Sequence, residues 1–216
     1  MGFFSALFGL GGCKDKKQIS SKSQTEGVYA TAQLNHLIMP LQRGERYEDP
    51  LDEALRKQEY GSTDEGGTMQ LQSGEIAFID VEIILTNLDE GVPFVIKQLE
   101  SFGAPKGSVL RVHDSEPPRE ITFGKAEGIA IYLDGVNLPK EVYESSDVNV
   151  LIEELNKRLE GHGEIQGHWQ GPTETALYFY GNDAEEMKRL IRDFTDQYPL
   201  CQNSRIITIA PKPIEQ

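Results

Sequence analysis

Thr173-Glu174-Thr175-Ala176-Leu177-Tyr178-Phe179-Tyr180-Gly181-Asn182-Asp183 opens the segment 173–210, whose reading decides the fold. Ala176 to Tyr180 is a continuous apolar and aromatic run, which predicts a strand over 175–180. Gly181-Asn182-Asp183 turns the chain. Asn182 or Asp183 then caps a helix, with Glu185 and Glu186 three residues on as capping-box partners. Ala184, Met187, Leu190, Ile191 and Phe194 recur at spacings of three and four, drawing one apolar stripe over 184–198 until Pro199 stops the helix. Arg205 to Ile209 is β-branched and reads as the return strand, ended by Pro211 and Pro213.

Residues 76–112 follow the same plan. A strand over 76–85 leads into a helix initiated by 87–90, with Val92, Val95, Ile96 and Leu99 as its stripe, and a return strand over 109–112. A third unit begins with the strand 128–133. It continues with a helix over 147–160, carrying Val148, Leu151, Ile152, Leu155 and Leu159 inward, and an extended segment over 164–170. The β-α-β-β-α-β order from 76 to 170 is that of a ferredoxin-like unit, which the final segment extends by a further βαβ half-unit. The predicted class is α+β, with a mainly antiparallel sheet and helices packed on one face. Three divisions follow: an apolar segment and flexible linker over 1–27, a helical arm over 28–65, and an α+β sandwich over 66–216. Within the arm, Tyr29, Leu34, Leu37 and Ile38 have helical spacing, and Asp49-Pro50 opens a short helix that Gly61 closes. Gly66-Gly67-Thr68 leads into a strand that pairs as a hairpin with 76–85.

Charge narrows the partners. The 216 residues carry 21 Lys+Arg against 35 Asp+Glu, a net charge of −14, which opposes binding to phosphate backbones or anionic lipid and favours a basic protein partner. The two cysteines, Cys13 and Cys201, are too few and too far apart for a disulfide framework, so a reducing, cytoplasmic setting is expected. At the N-terminus, Leu10-Gly11-Gly12-Cys13 offers an alternative: a lipobox that makes Cys13 a lipidated end and anchors the chain to a membrane. Otherwise residues 1–17 form a docking or weakly interfacial segment.

No catalytic or cofactor motif of useful specificity is present, so neither catalysis nor a cofactor is expected, and no metal site. His162, Glu164 and His168 lie close in sequence, but a helix cap and surface hairpin account for them. Cys201 lacks a nucleophile elbow and suits a small buried position after a helix end. The binding candidates fall in two groups. His168 and Trp169 with Tyr178 and Tyr180 on the adjoining strand make an aromatic patch, while Asp80, Glu82, Asp114 and Glu116 supply acidic edges.

The run Arg46-Tyr47-Glu48-Asp49-Pro50-Leu51-Asp52-Glu53-Ala54-Leu55, followed by Gly66-Gly67-Thr68, resembles small uncharacterised bacterial proteins found with toxin systems. Met1-Gly2-Phe3-Phe4 before a lysine cluster is similar to the start of many bacterial immunity proteins. The resemblance implies a non-enzymatic, immunity-type inhibitor of a basic toxin, and it brings no contact or catalytic residues with it. A small-ligand sensor or enzyme, with a sheet-face cleft near His168, Trp169 and Tyr178, is the alternative from another class.

Overall fold

The computed structural model describes residues 27–211. The expected 1–27 segment, including Cys13 and the membrane-contact or lipidation readings attached to it, therefore falls almost wholly outside the described residues.

The chain builds two antiparallel sheets, an α+β architecture as the periodicities predict. Strand β1 (Val28–Leu34) comes first. Here the structure corrects the helical arm. Ala30, Ala32 and Leu34 are fully buried, whereas Tyr29 before them is 55% exposed and Thr31 and Gln33 between them are half-buried, the period-two alternation of a strand rather than a helical stripe. A short helix α1 (Pro40–Arg43), a π-helical turn (Gly44–Glu48) and helix α2 (Asp49–Gln58) follow without a break. The charged stretch around Arg46 is thus helical, and it buries Tyr47. Glu59, in the left-handed region at φ 58°, ends α2, and Gly61 instead starts strand β2 (Gly61–Gln70). Strand β3 (Ile76–Leu85) pairs with β2 as the predicted hairpin. Helix α3 (Leu88–Ser101) is capped by Asn87, whose side chain accepts from the Glu90 N–H at 3.3 Å. Strands β4 (Ser108–Val112) and β5 (Arg119–Phe123) complete the order β2-β3-β1-β4-β5.

The second sheet repeats the scheme. Strand β6 (Glu127–Asp134) leads through α4 (Lys140–Ser145) and α5 (Val148–Arg158) to the hairpin β7 (Gly163–Gln170) and β8 (Glu174–Gly181). Helix α6 (Ala184–Thr195), a 3₁₀ turn (Pro199–Cys201) and β9 (Arg205–Ala210) close it, in the order β7-β8-β6-β9. The β-α-β-β-α-β order is therefore present twice, over 28–112 and 127–210, each with its first strand at the centre of its sheet. The frame expected from 76 to 170 joined the second half of one unit to the first half of the next. Reading β1 as a helix caused the shift, because the pattern repeats and only its start fixes the frame.

Each sheet carries helices on one face. Ile129, Ile131, Leu133, Leu177 and Phe179 meet Leu151, Leu155, Met187 and Ile191 of α5 and α6 in one apolar cluster. Ala32, Leu34, Ile79, Val81, Ile83 and Leu110 meet Leu51 and Leu55 of α2 and Val95 and Leu99 of α3 in another. That second cluster continues through Leu37, Ile38 and Tyr47 to Ala130, Tyr178 and Tyr180, which joins the two units. Glu127 adds a polar tie: it accepts from the Ala184 N–H at 2.8 Å at the start of α6 and pairs with Lys106 of the first unit at 2.5 Å.

Candidate functional site

The two helix-free faces have opposite fates. On the second sheet, cross-strand register puts Tyr132 opposite Ala176, and Trp169 opposite Ala176 from the other side. Tyr178 and Tyr180 follow on the same face at the spacing of two that a strand imposes. Segments of the first unit cover this face. The Tyr132 and Tyr178 hydroxyls both donate to Glu75 Oε1, at 2.5 and 2.7 Å. The Leu37 N–H donates to the Tyr180 hydroxyl at 3.0 Å, and the Trp169 indole N–H to the Ser73 carbonyl at 3.3 Å. Burial and the adjoining Glu75 carboxylate raise the Tyr132 and Tyr178 phenols above their ordinary range.

Of the expected aromatic patch, Trp169, Tyr178 and Tyr180 are thus brought together, but as the junction between units, with both tyrosines 1% exposed. His168 pairs with Leu177 and stands on the opposite, helix-bearing face. Adjacent residues of one strand cannot share a face, so His168 and Trp169 could not have formed one patch.

His36 lies within the same junction. It is fully buried, its Nδ1 stands 2.7 Å from the Tyr47 hydroxyl, and its ring packs edge-on to Tyr180 with centroids 4.3 Å apart. Burial, with a smaller contribution from the Arg46 charge, pushes its pKa down to about 3. Cys201 is buried as expected, and burial pushes its thiol up to about 11. Among the described residues no three His, Cys, Asp or Glu side chains converge to hold a metal ion, and no helix is long and apolar enough to cross a membrane.

Among the described residues, the helix-free face of the first sheet is open. Its rows, read across the strands, are Ile84 beside Tyr29, then Glu82, Thr31, Arg111 and Glu120, then Asp80, Gln33 and Val109. The Thr31 hydroxyl donates to Glu82 at 2.8 Å, and Arg111 donates to Glu120 at 2.7 Å and to Gln33 at 3.4 Å. Asp80 and Glu82 are therefore brought together on one face, as their spacing of two predicts. Burial first, and the Glu82 charge second, raise the Asp80 pKa. Asp114 and Glu116 lie in the β4–β5 loop beyond His113, whose N–H donates to the Tyr29 carbonyl at 2.9 Å. Asp114 is paired with Arg119 at 2.9 Å, and Glu116 is exposed.

At the end of this face lies a cavity of about 170 Å³, lined by Gln33, Asn35, Phe78 and Gly107. Asn35 is 6% exposed; its side-chain NH₂ donates to the Lys106 carbonyl at 3.2 Å and the Ile209 carbonyl at 3.0 Å. Those two acceptors fix which amide atom is nitrogen. The Asn35 Oδ1 and one carboxylate oxygen of Asp80 are buried with no hydrogen-bond partner among the described residues. Gln33 and Asn35 carried no signal in the sequence reading, because a helical arm would have dispersed them around an axis; only the alternation of Ala30, Ala32 and Leu34 could have found them.

No protein-family model matches the chain, and no curated protein matches it. Among solved structures it is similar to an unknown protein from Galdieria sulphuraria, at 10% identity and a TM-score of 0.28, covering 84% of this chain and 96% of that one. It is similar also to a putative monooxygenase from Lactobacillus acidophilus NCFM, at 12% identity and a TM-score of 0.28, covering 85% and 92% of the two chains. A third likeness is to the first two RRM domains of yeast poly(U) binding protein, at 9% identity and a TM-score of 0.23, covering 84% and 99%. Likenesses this loose bear on neither mechanism nor partner.

Proposed function

We propose that the protein is a non-enzymatic binding protein that docks a basic protein partner on the helix-free face of its first sheet. One observation carries the reading: the two units present equivalent faces, and among the described residues this one is left uncovered, with Asp80, Glu82 and Glu120 beside Arg111. Two carboxylates remain in excess there, on a chain of net charge −14. Complementary charge steers association and selects register more than it adds affinity, so binding should weaken as salt screens it. An immunity-type inhibitor of a basic toxin is the version of this reading that the sequence resemblance supports.

The test is co-purification from native cells at low and high salt, comparing the wild type with the double variant Glu82→Lys, Glu120→Lys. A basic protein held by the wild type at low salt, and lost from the double variant, supports the reading. A partner that the double variant retains undiminished places the interface elsewhere. If nothing associates specifically with the wild type at low salt, the proposal fails.

A further inference from the structure

Strand β5 is the outer strand of the first sheet, and the ladder fixes which of its backbone groups are free. Along an antiparallel strand, alternate residues bond the neighbour on one side and then the neighbour on the other. The His113 N–H donates to the Tyr29 carbonyl at 2.9 Å, so His113, Arg111 and Val109 bond β1. Val112, Leu110 and Ser108 therefore bond β5, through their partners Arg119, Ile121 and Phe123. That directs the N–H and C=O of Glu120 and Thr122 away from the sheet. Both residues are exposed, and no group among the described residues bonds these four backbone groups. The other outer strands are each engaged at some point. On β7, Asn156 accepts from the Ile165 N–H and Gln42 donates to the Gln166 carbonyl, both at 3.2 Å. Asp52 accepts from the Thr63 N–H of β2 at 3.0 Å, and Asn35 donates to the Ile209 carbonyl of β9 at 3.0 Å.

A bare ladder edge is a template for another strand, and β5 is complementary to itself in one register. A two-fold axis through Ile121 sets Glu120 opposite Thr122 of a second copy, and Thr122 opposite its Glu120. Every outward group of both strands then pairs, in four hydrogen bonds. The positions beyond, Pro118 and Gly124, leave no donor over: proline has no N–H, and the Gly124 N–H already donates to Glu100 at 3.3 Å. Ile121 meets its own copy as a close apolar pair, and Arg119 meets Phe123, a cation beside a ring. The other registers are worse. An axis through Glu120 sets carboxylate against carboxylate, and one through Thr122 sets Arg119 against Lys125. We infer that the protein forms a two-fold dimer through β5, its partner being a second copy of this chain. The two first-unit sheets become one continuous sheet with both helix-free faces on the same side. The row Glu82, Thr31, Arg111 and Glu120 runs on into Thr122, Val109, Gln33 and Asp80 of the second copy. The dimer stands independently of the docking reading, to which it offers a wider acidic face.

The experiment is sedimentation equilibrium of the full chain at concentrations up to about 1 mM, since so small an interface gives a weak dimer. Amide hydrogen exchange, read by NMR at low and high protein concentration, runs beside it. A monomer–dimer equilibrium is expected, with the Glu120 and Thr122 amides slowing as the dimer fills. Each copy carries a net charge of −14, so added salt should tighten the dimer by screening, opposite to its effect on a basic partner. Thr122→Pro removes an outward N–H and no ladder bond, and should weaken the dimer at least about tenfold. Thr122→Lys sets an ammonium opposite Glu120 at two symmetric positions and should tighten it about fivefold; Thr122→Glu should weaken it about as much. That pair leaves the backbone alone, so it decides the register even if the proline variant fails to fold. A chain that stays monomeric, a dimer that salt dissolves, equal effects of Thr122→Lys and Thr122→Glu, or protection that appears on β7 or β9 instead each overturn the inference. A chain that dimerises as expected but captures no basic partner refutes the docking reading alone.

Discussion

Acidification from pH 7.5 to 5 should destabilise the fold through one residue, His36. Its ring is fully buried between Tyr47 and Tyr180 and its pKa is down to about 3, against an ordinary value of 6.5. The depressed base is neutral in the folded chain at pH 5, while the unfolded chain binds a proton. Stability from keeping it neutral is thus fully present above 6.5 and is lost as pH falls from there toward 3. Over the 1.5 units between 6.5 and 5, at 1.36 kcal/mol each, the loss is about 2 kcal/mol. With a urea slope of about 2 kcal/mol per molar for a domain of this size, the midpoint should fall by about 1 M. The assay is urea unfolding at pH 7.5 and 5.0, followed by fluorescence of Trp169, the single Trp, which sits in the same junction. His36→Asn removes the titrating group while keeping a polar atom near the Tyr47 hydroxyl. The variant should be less stable than wild type at pH 7.5, yet should lose little of the 1 M on acidification. If wild type and variant lose the same amount, the acid sensitivity arises at other groups and the burial argument for His36 is wrong.

Three further outcomes follow from the same contacts. Glu75→Ala leaves the Tyr132 and Tyr178 hydroxyls without an acceptor, and should cost about 2 to 4 kcal/mol by chemical denaturation, whereas Glu75→Gln, which keeps a carbonyl oxygen, should cost less. Gly128→Ala would place a methyl 2.7 Å from the Tyr180 ring and 3.0 Å from Ile209, in the join between the units, so a loss of about 1 to 3 kcal/mol and a lower melting temperature are expected. Asp80→Asn should stabilise the fold at pH 7 relative to wild type and not at pH 3.5. The raised pKa means the folded state disfavours the charged form, so the carboxylate's cost appears only as pH rises through the ordinary carboxylate range; equal effects at both pH values would refute it.

The elements with strong periodicity were legible because one physical requirement set each of them. Helix α6 has its stripe, its Asp183 cap, which accepts from the Glu186 N–H at 2.9 Å, and its proline stop, and these agree. Strand β8 has five apolar residues in a row because both of its faces are covered, by α5 and α6 on one side and by the first unit on the other. Strand β1 was illegible for a related reason. Its buried face is made of Ala30, Ala32 and Leu34, two of them small, and the apolar Leu37 and Ile38 that follow belong to a separate crossing segment. Together these mimic a helical spacing. Strand β5, with Ile121 and Phe123 as its apolar residues at an edge, offered too little alternation to be seen. The acidic pair Asp80 and Glu82 was legible as a shared face, but not which of the faces in the molecule stayed open; that depends on contacts between residues 57 to 143 apart in sequence.

Comparison of the two units at equivalent strands shows what decides that difference. The central strands β1 and β6 point Tyr29, Thr31 and Gln33, or Gly128, Ala130 and Tyr132, to the helix-free side. Their neighbours β3 and β8 point Phe78, Asp80 and Glu82, or Ala176, Tyr178 and Tyr180. The second set buries cheaply, since its few hydroxyls find Glu75 and the Leu37 N–H. The first set does not. Covering Asp80, Glu82, Arg111 and Glu120 with an apolar surface would strip water from four ionic groups, of which only Arg111 and Glu120 satisfy each other directly. A partner that brings N–H donors and positive charge offsets that desolvation, and an apolar or acidic one adds to it. Under the docking proposal, the open face discriminates by what it would cost to bury, so the charge of a candidate partner, more than its shape, is the property to vary first.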